Sequence, residues 1–420
     1  MKILNLRTPA KDIFSNILVL FPFVLIVLSE ILLPMIPTAS SVFKVGAALY
    51  MFVYAFLALK FHGNFLILLG LFMPFFIWGI LHSFNIHAAI SEGVRYLFPI
   101  SVLMYGYAIR RHFKFLLFAF IIFVLINDFW QIVNYINWYR GVTQWFYSTD
   151  LYGNRYFNAS SGIIRATGIV GFFGLFGFIN LIAFFLTRRY YHGKWKILLL
   201  SIFLLSLFLS FSYKTIGALL VLLFIQYKNK LKFFQIVGVL FLIALIAIPK
   251  VIASMGESIV LRLEQYVTEG DSARAESYRV MFAEILDFNL FGRGVGSFGG
   301  PASVTYNSPI YSEHHFNWFY TIDLATTDTF FPHLFVEMGI IGGFLYLLVL
   351  LAPLALPWKR DKFKLAFVIY FALFFDALFS YSLNNIAFLM VSLGFLYPLY
   401  FYKEKENTLS EVVPKPTVVL

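Results

Sequence analysis

What most constrains this chain is its recurring apolar runs of membrane-spanning length, the first being residues 13–33, IFSNILVLFPFVLIVLSEILL. About 20 such residues wound as a helix cross a bilayer while satisfying their own backbone polar groups. With 60% hydrophobic and 13% charged residues among 420, a water-soluble core cannot absorb the apolar surface. The runs show no period of two, which excludes a transmembrane barrel. The expected fold is all-α, a polytopic transmembrane helix bundle with one large extracytoplasmic loop containing short helices.

Twelve spans are expected, at residues 13–33, 43–59, 64–81, 94–109, 115–136, 166–186, 197–212, 214–227, 233–249, 329–356, 365–382 and 385–402. Only Tyr213 and Lys214 separate the seventh from the eighth, which form a hairpin of tilted helices or one broken helix. The first span lacks a small-residue cleavage site and reads as retained. The divisions are an N-terminal bundle (1–249), a loop (250–328), C-terminal helices (329–402) and a tail (403–420). If the N-terminus is cytoplasmic, every even-numbered loop is rich in Lys or Arg, and the tail is cytoplasmic too.

Those cytoplasmic segments hold 15 Lys and 6 Arg, whereas the remainder of the chain holds 3 Lys and 8 Arg. Lysine suffices as a solvated charge, whereas the arginine fork suits bidentate binding of phosphate. The outer face therefore reads as built for anions, unless its arginines pair with Glu276, Glu284 and neighbouring loop acids. The net charge of +11 follows mostly from the cytoplasmic loops, and no basic patch interleaved with aromatics points to nucleic acid. The chain has no cysteine, hence no disulfide or thiolate site.

One long polar interval, 270–343, stands out. Asp271 or Ser272 can cap a helix from 273 to about 287 that presents Arg274, Tyr278 and Met281 on one face, with Met281, Phe282, Ile285 and Leu286 docking it to membrane or bundle. GRGVGSFGG, at 292–300, has no preceding strand and the wrong spacing for a nucleotide loop, leaving an anion nest or a flexible turn. Glu313, His314 and His315 lack further ligands for a metal and read as solvated. Tryptophans and tyrosines across 137–164 form an interfacial belt or a sugar-stacking surface. Glu30, Asp128, Lys214 and Asp376 are charges within spans and must face the bundle interior or water. Lys214 either snorkels or joins the arginines around a diphosphate.

Arg165-x-x-Gly168, Tyr213-Lys214, Ser272-Ala273-Arg274, Gly292-x-Gly294-x-Gly296-Ser297-Phe298 and Asp328 through Glu337-Met338-Gly339 occur in an order that resembles the O-antigen ligase and polymerase superfamily of bacterial envelope polysaccharide assembly. The layout matches over most of the chain and is sharp over about seventy residues near its end. Where lipid A-core ligases carry a histidine nine residues before the glutamate, this chain has Asp328, as polymerases of the superfamily often do. Lys214 stands where an arginine is usual.

The resemblance implies an O-antigen polymerase of the bacterial inner membrane, with both termini cytoplasmic and a periplasmic active site. It would join undecaprenyl-diphosphate-linked oligosaccharides without metal or cofactor, among membrane lipid and beside a chain-length regulator. Arg165, Lys214, Arg274, Arg279 and Arg293 would neutralise the departing diphosphate, and Asp328 or His333, with Glu337, would serve the attacking hydroxyl. The alternatives are a ligase acting on lipid A-core and, from another class, a secondary transporter or flippase. No internal half-to-half repeat supports the latter.

Overall fold

The computed structural model of the protein describes residues 10–141, 158–159, 163–226, 272–316, 327 and 329–403. The ninth expected span, the interval 250–271 and Asp328 lie outside them. So does most of the aromatic segment from 142 to 157.

The described chain is helical apart from a two-residue strand pair, β1 (Asn158–Ala159) and β2 (Ile163–Ile164), which run antiparallel. The first five helices are α1 (Ala10–Leu32), α2 (Pro37–Leu57), α3 (Gly63–Leu81), α4 (Ile86–Ala108) and α5 (Phe113–Tyr139). There follow α6 (Phe173–Tyr190), α7 (Lys196–Leu209), α8 (Tyr213–Gln226) and α9 (Ala273–Leu286). The last six are α10 (Pro301–Thr305), α11 (Ile310–Glu313), α12 (Phe330–Leu351), α13 (Arg360–Ala377), α14 (Ile386–Val391) and α15 (Leu396–Phe401). Five segments among the described residues are long and apolar enough to cross a membrane: Ser15–Leu32, Pro37–Leu57, Gly63–Leu81, Phe113–Tyr139 and Phe330–Ala355.

Several boundaries move for identifiable reasons. Helix α4 starts eight residues before the expected span because Asn85 caps it, its side-chain oxygen accepting from His87 N (2.8 Å) and Ala88 N (3.3 Å). The sixth helix starts at Phe173 rather than 166, because residues 165–172 are irregular and clamped by amides of α5. Gln131 Oε1 accepts from Thr167 N and Gly168 N at 2.9 Å each, and Asn127 Oδ1 from Ile169 N at 2.7 Å. The seventh and eighth spans are separate helices, parted where Phe211 takes a φ of 46°. Helix α7 packs on α6 and α8 on α13.

The basic loops gather at one end of the bundle. Arg189 pairs with Asp361 (3.9 Å), Lys362 donates to Tyr400 O (2.8 Å), Arg110 lies over Phe401, and His62 contacts Tyr397 Oη (3.1 Å). The opposite end carries α9–α11, whose own small core joins Val280, Met281, Phe298, Ile310, Tyr311, Phe316 and Val336. Ser272 caps α9, accepting from Ala275 N at 3.1 Å. Met281 docks to the protein and Ile285 packs partly, Phe282 and Leu286 face outward, and Ser277, Val280 and Glu284 are buried on the docked face.

Candidate active site

Helix α12 is broken in its middle, where Gly339 adopts φ 67°, ψ −175° and frees backbone groups on either side. The glycine stretch fills the break. Arg293 N and Gly294 N donate to Val336 O and Glu337 O (2.9 and 3.1 Å), while Ile340 N and Ile341 N donate to Asn289 O and Leu290 O (3.1 and 3.2 Å). Val295 N donates to Gly79 O of α3 (2.8 Å). A side chain at Gly292, where φ is +81°, would stand 2.2 Å from Glu337 O. The stretch is therefore neither a free turn nor a cradle for a foreign anion: its amides serve the protein, and Phe298 N donates to the Glu337 carboxylate at 3.1 Å.

His333 and Glu337 are one turn apart on α12 and both are fully buried. Across from them α4 presents Glu92, Arg95 and Tyr96, again one turn of helix, and the chain after α13 adds Tyr381. Tyr96 Oη donates to Glu337 Oε2 (3.0 Å), and its ring stacks on that of His333. Tyr381 Oη lies 2.9 Å from His333 Nε2 and 2.9 Å from Glu92 Oε2. Glu92 Oε1 also accepts from Ala302 N (3.2 Å) and lies 3.5 Å from Arg95 Nη1.

The hydrogen-bond partners of His333 fix its tautomer. His333 Nδ1 faces Phe298 O, which only accepts, so Nδ1 carries the ring proton and Nε2 of the neutral ring is a lone pair. Two acceptors, His333 Nε2 and Glu92 Oε2, then share the single proton of Tyr381, while Glu337 Oε2, which accepts from Tyr96, lies 3.4 Å from Nε2. One further proton, on Nε2, satisfies the network: the imidazolium pairs with Glu337 or donates to Tyr381, and Tyr381 donates to Glu92. At the edge of the cluster stands Arg95, whose side chain is 29% exposed.

The cations expected around a diphosphate are largely committed elsewhere. The Arg293 fork grips Glu284, with Nε 3.0 Å from both oxygens, and reaches Glu313 at 3.6 Å. Arg279 pairs with Glu276 (3.3 Å) and donates to His314 O (2.7 Å). Lys214 lies 3.0 Å from Asp376 within the bundle. Arg165 lies over the Phe173 ring at 4.4 Å, in a segment tied to the end of α7 by Ala166 N donating to Leu209 O; Arg274 is half-buried in the first turn of α9.

His314 is not solvated; its Nε2 is 2.8 Å from Glu284 Oε1. Burial pushes the Glu284 carboxyl up, but hydrogen bonds from Arg293, Asn289 and His314 outweigh it and hold the group below the usual carboxylate range. Burial pushes the Tyr311 hydroxyl up to about 12, where it accepts from Gly299 N (3.0 Å) and so pins the glycine stretch to α11. Among the described residues no group of three or more metal-ligating side chains is assembled.

The structure thus joins His333 to Glu337 and adds Glu92, Tyr96 and Tyr381, which the sequence reading missed, and Arg95, which it counted only among the outer arginines. The signal was Glu92-x-x-Arg95-Tyr96, an acid and a base one turn apart beside an apolar run, where such residues are costly without a role. No protein-family model, no curated protein and no solved structure matches this chain.

Proposed function

We propose that the protein is a glycan polymerase of the bacterial inner membrane. In this reading it crosses the membrane about twelve times, keeps the basic end and both termini in the cytoplasm, and joins undecaprenyl-diphosphate-linked repeat units at the opposite end. The observation that carries the proposal is the buried, hydrogen-bonded cluster of Glu92, Tyr381, His333 and Glu337 at the end remote from the basic loops. Transfer of a glycan from a lipid diphosphate to a sugar hydroxyl forms a C–O bond at the anomeric carbon, breaks its bond to phosphate oxygen and releases one proton from the hydroxyl. His333, backed by Glu337 and Glu92 through Tyr381, suits receipt of that proton. Arg95 supplies positive charge at the edge of the cluster, and Arg165 and Arg274 remain candidates for the diphosphate.

A broken span also occurs in ion-coupled transporters, where freed backbone groups coordinate cargo. In α12 four of those groups are satisfied by residues 289–294, which favours the enzyme.

The test is complementation of a strain whose long surface glycan depends on this chain, with His333→Gln and Asp328→Asn compared at equal protein level. His333→Gln is expected to leave envelope lipid bearing a single repeat unit. Loss of even that unit would reassign the chain as a ligase. Wild-type chain length from His333→Gln with loss in Asp328→Asn would move the base to Asp328, and full activity in both would overturn the acid–base assignment.

A further inference from the structure

Helix α9 ends in a turn that the sequence makes with the wrong residue. Asn289 N donates to Glu284 O and Phe288 N to Ile285 O, at 3.1 Å each, the pattern of a Schellman cap. The residue in the left-handed position is almost always glycine, because a Cβ there crowds the backbone. Here it is Phe288, at φ 54°, with 78% of its surface exposed. Among the described residues no aromatic ring pairs with that of Phe288, which stands exposed.

Phe288 has company. Leu286 is 75% and Phe282 56% exposed, and Leu290 and Phe291 follow, also exposed. The patch continues onto a membrane-spanning segment: Phe291 stacks on Phe75 (6.1 Å, 11° between planes) and lies against Trp78 (6.0 Å), near the end of α3 where Ile77 and Leu81 also face outward. An aromatic at the last turn of a span marks the headgroup level of the bilayer.

We infer that the elbow formed by Phe282, Leu286, Phe288 and Phe291 is a membrane anchor, seated in the lipid leaflet that surrounds the end of α3. Continuity with the outward face of α3 selects lipid as the occupant. Seating the elbow fixes α9 and, through Glu284 and Asn289, the glycine stretch that shapes the buried cluster. The inference rests on the fold alone and stands whether or not the chain polymerises glycan.

The chain has no cysteine, so a single one can be labelled without background. Nitroxide would be placed at Phe288→Cys, Leu286→Cys and, as a control on the exposed turn after α10, Asn307→Cys, in full-length protein in phosphatidylethanolamine–phosphatidylglycerol vesicles. Labels at 286 and 288 are expected to collide several-fold more with oxygen, relative to a water-soluble nickel chelate, than the label at 307. Preferential access to the chelate at 288 would overturn the proposal in favour of water. Poor access to both reagents would mean that protein covers the elbow, and spin–spin broadening at 288 would assign it to a second copy; either result also overturns it. Phe288→Gly, which suits the turn, is expected to melt no lower than wild type in detergent; a lower melting temperature would show Phe288 packed on protein.

Discussion

The fit of the glycine stretch into broken helix α12 makes Gly292→Ala a sharp perturbation. The added Cβ would lie 2.2 Å from Glu337 O, 2.5 Å from Glu337 C and 2.5 Å from Gly339 N, all backbone atoms that cannot rotate away. The stretch must withdraw, giving up the four hydrogen bonds that cap the break. At about 1 kcal/mol each, with about 1–2 kcal/mol for alanine in the left-handed region, the docked state loses roughly 5 kcal/mol. That is a large part of a typical domain's stability of about 5–15 kcal/mol, so local release is expected before global unfolding. Release exposes the bond after Arg293, and trypsin reports it: cleavage that tracks the open population should quicken by roughly several thousandfold. Gly46→Ala in α2 meets nothing within 4 Å and is the matched control, expected to be neutral or slightly stabilised. If Gly292→Ala resists trypsin and melts as wild type does, the glycine stretch does not cap α12 as described.

Two other outcomes follow from charged groups. Because the folded state holds Glu284 below its ordinary value of 4.5, its stabilising contribution is complete above that value and disappears as pH falls through the depressed one; melting temperature should drop on acidification below 4.5, and Glu284→Gln should flatten that drop. Lys214→Met leaves Asp376 buried and unpaired, a loss of about 3–5 kcal/mol, whereas Lys214→Met with Asp376→Leu should recover most of it; a double variant as unstable as the single one would show that the pair does not act as a unit.

The helical class and the polar interval were legible because apolar runs and charged loops are local properties of a chain. The cap at Ser272, the pairing of Arg293 with Glu284 and that of Arg279 with Glu276 could also be anticipated, the pairings as the alternative to anion binding. The break in α12 could not: Gly339 opens an apolar run with no polar residue to mark a break, and only the arrival of residues 289–294 against it satisfies the backbone there. The cluster was half-visible for the same reason. His333 and Glu337 announce themselves by spacing, but Tyr381 gains meaning only beside Glu92, 289 residues away along the chain.

The amide clamp on α5 carries a separate consequence. Asn127 and Gln131 hold residues 167–169 by their backbone amides alone, and a Cβ at Gly168 would overlap Asn127 Oδ1 at 2.2 Å. Such a grip does not depend on the identity of the side chains it holds, only on a glycine at 168. The backbone at 165, just upstream, is therefore placed by a tether in which the Arg165 side chain takes no part, so Arg165→Ala should remove the guanidinium without releasing the segment.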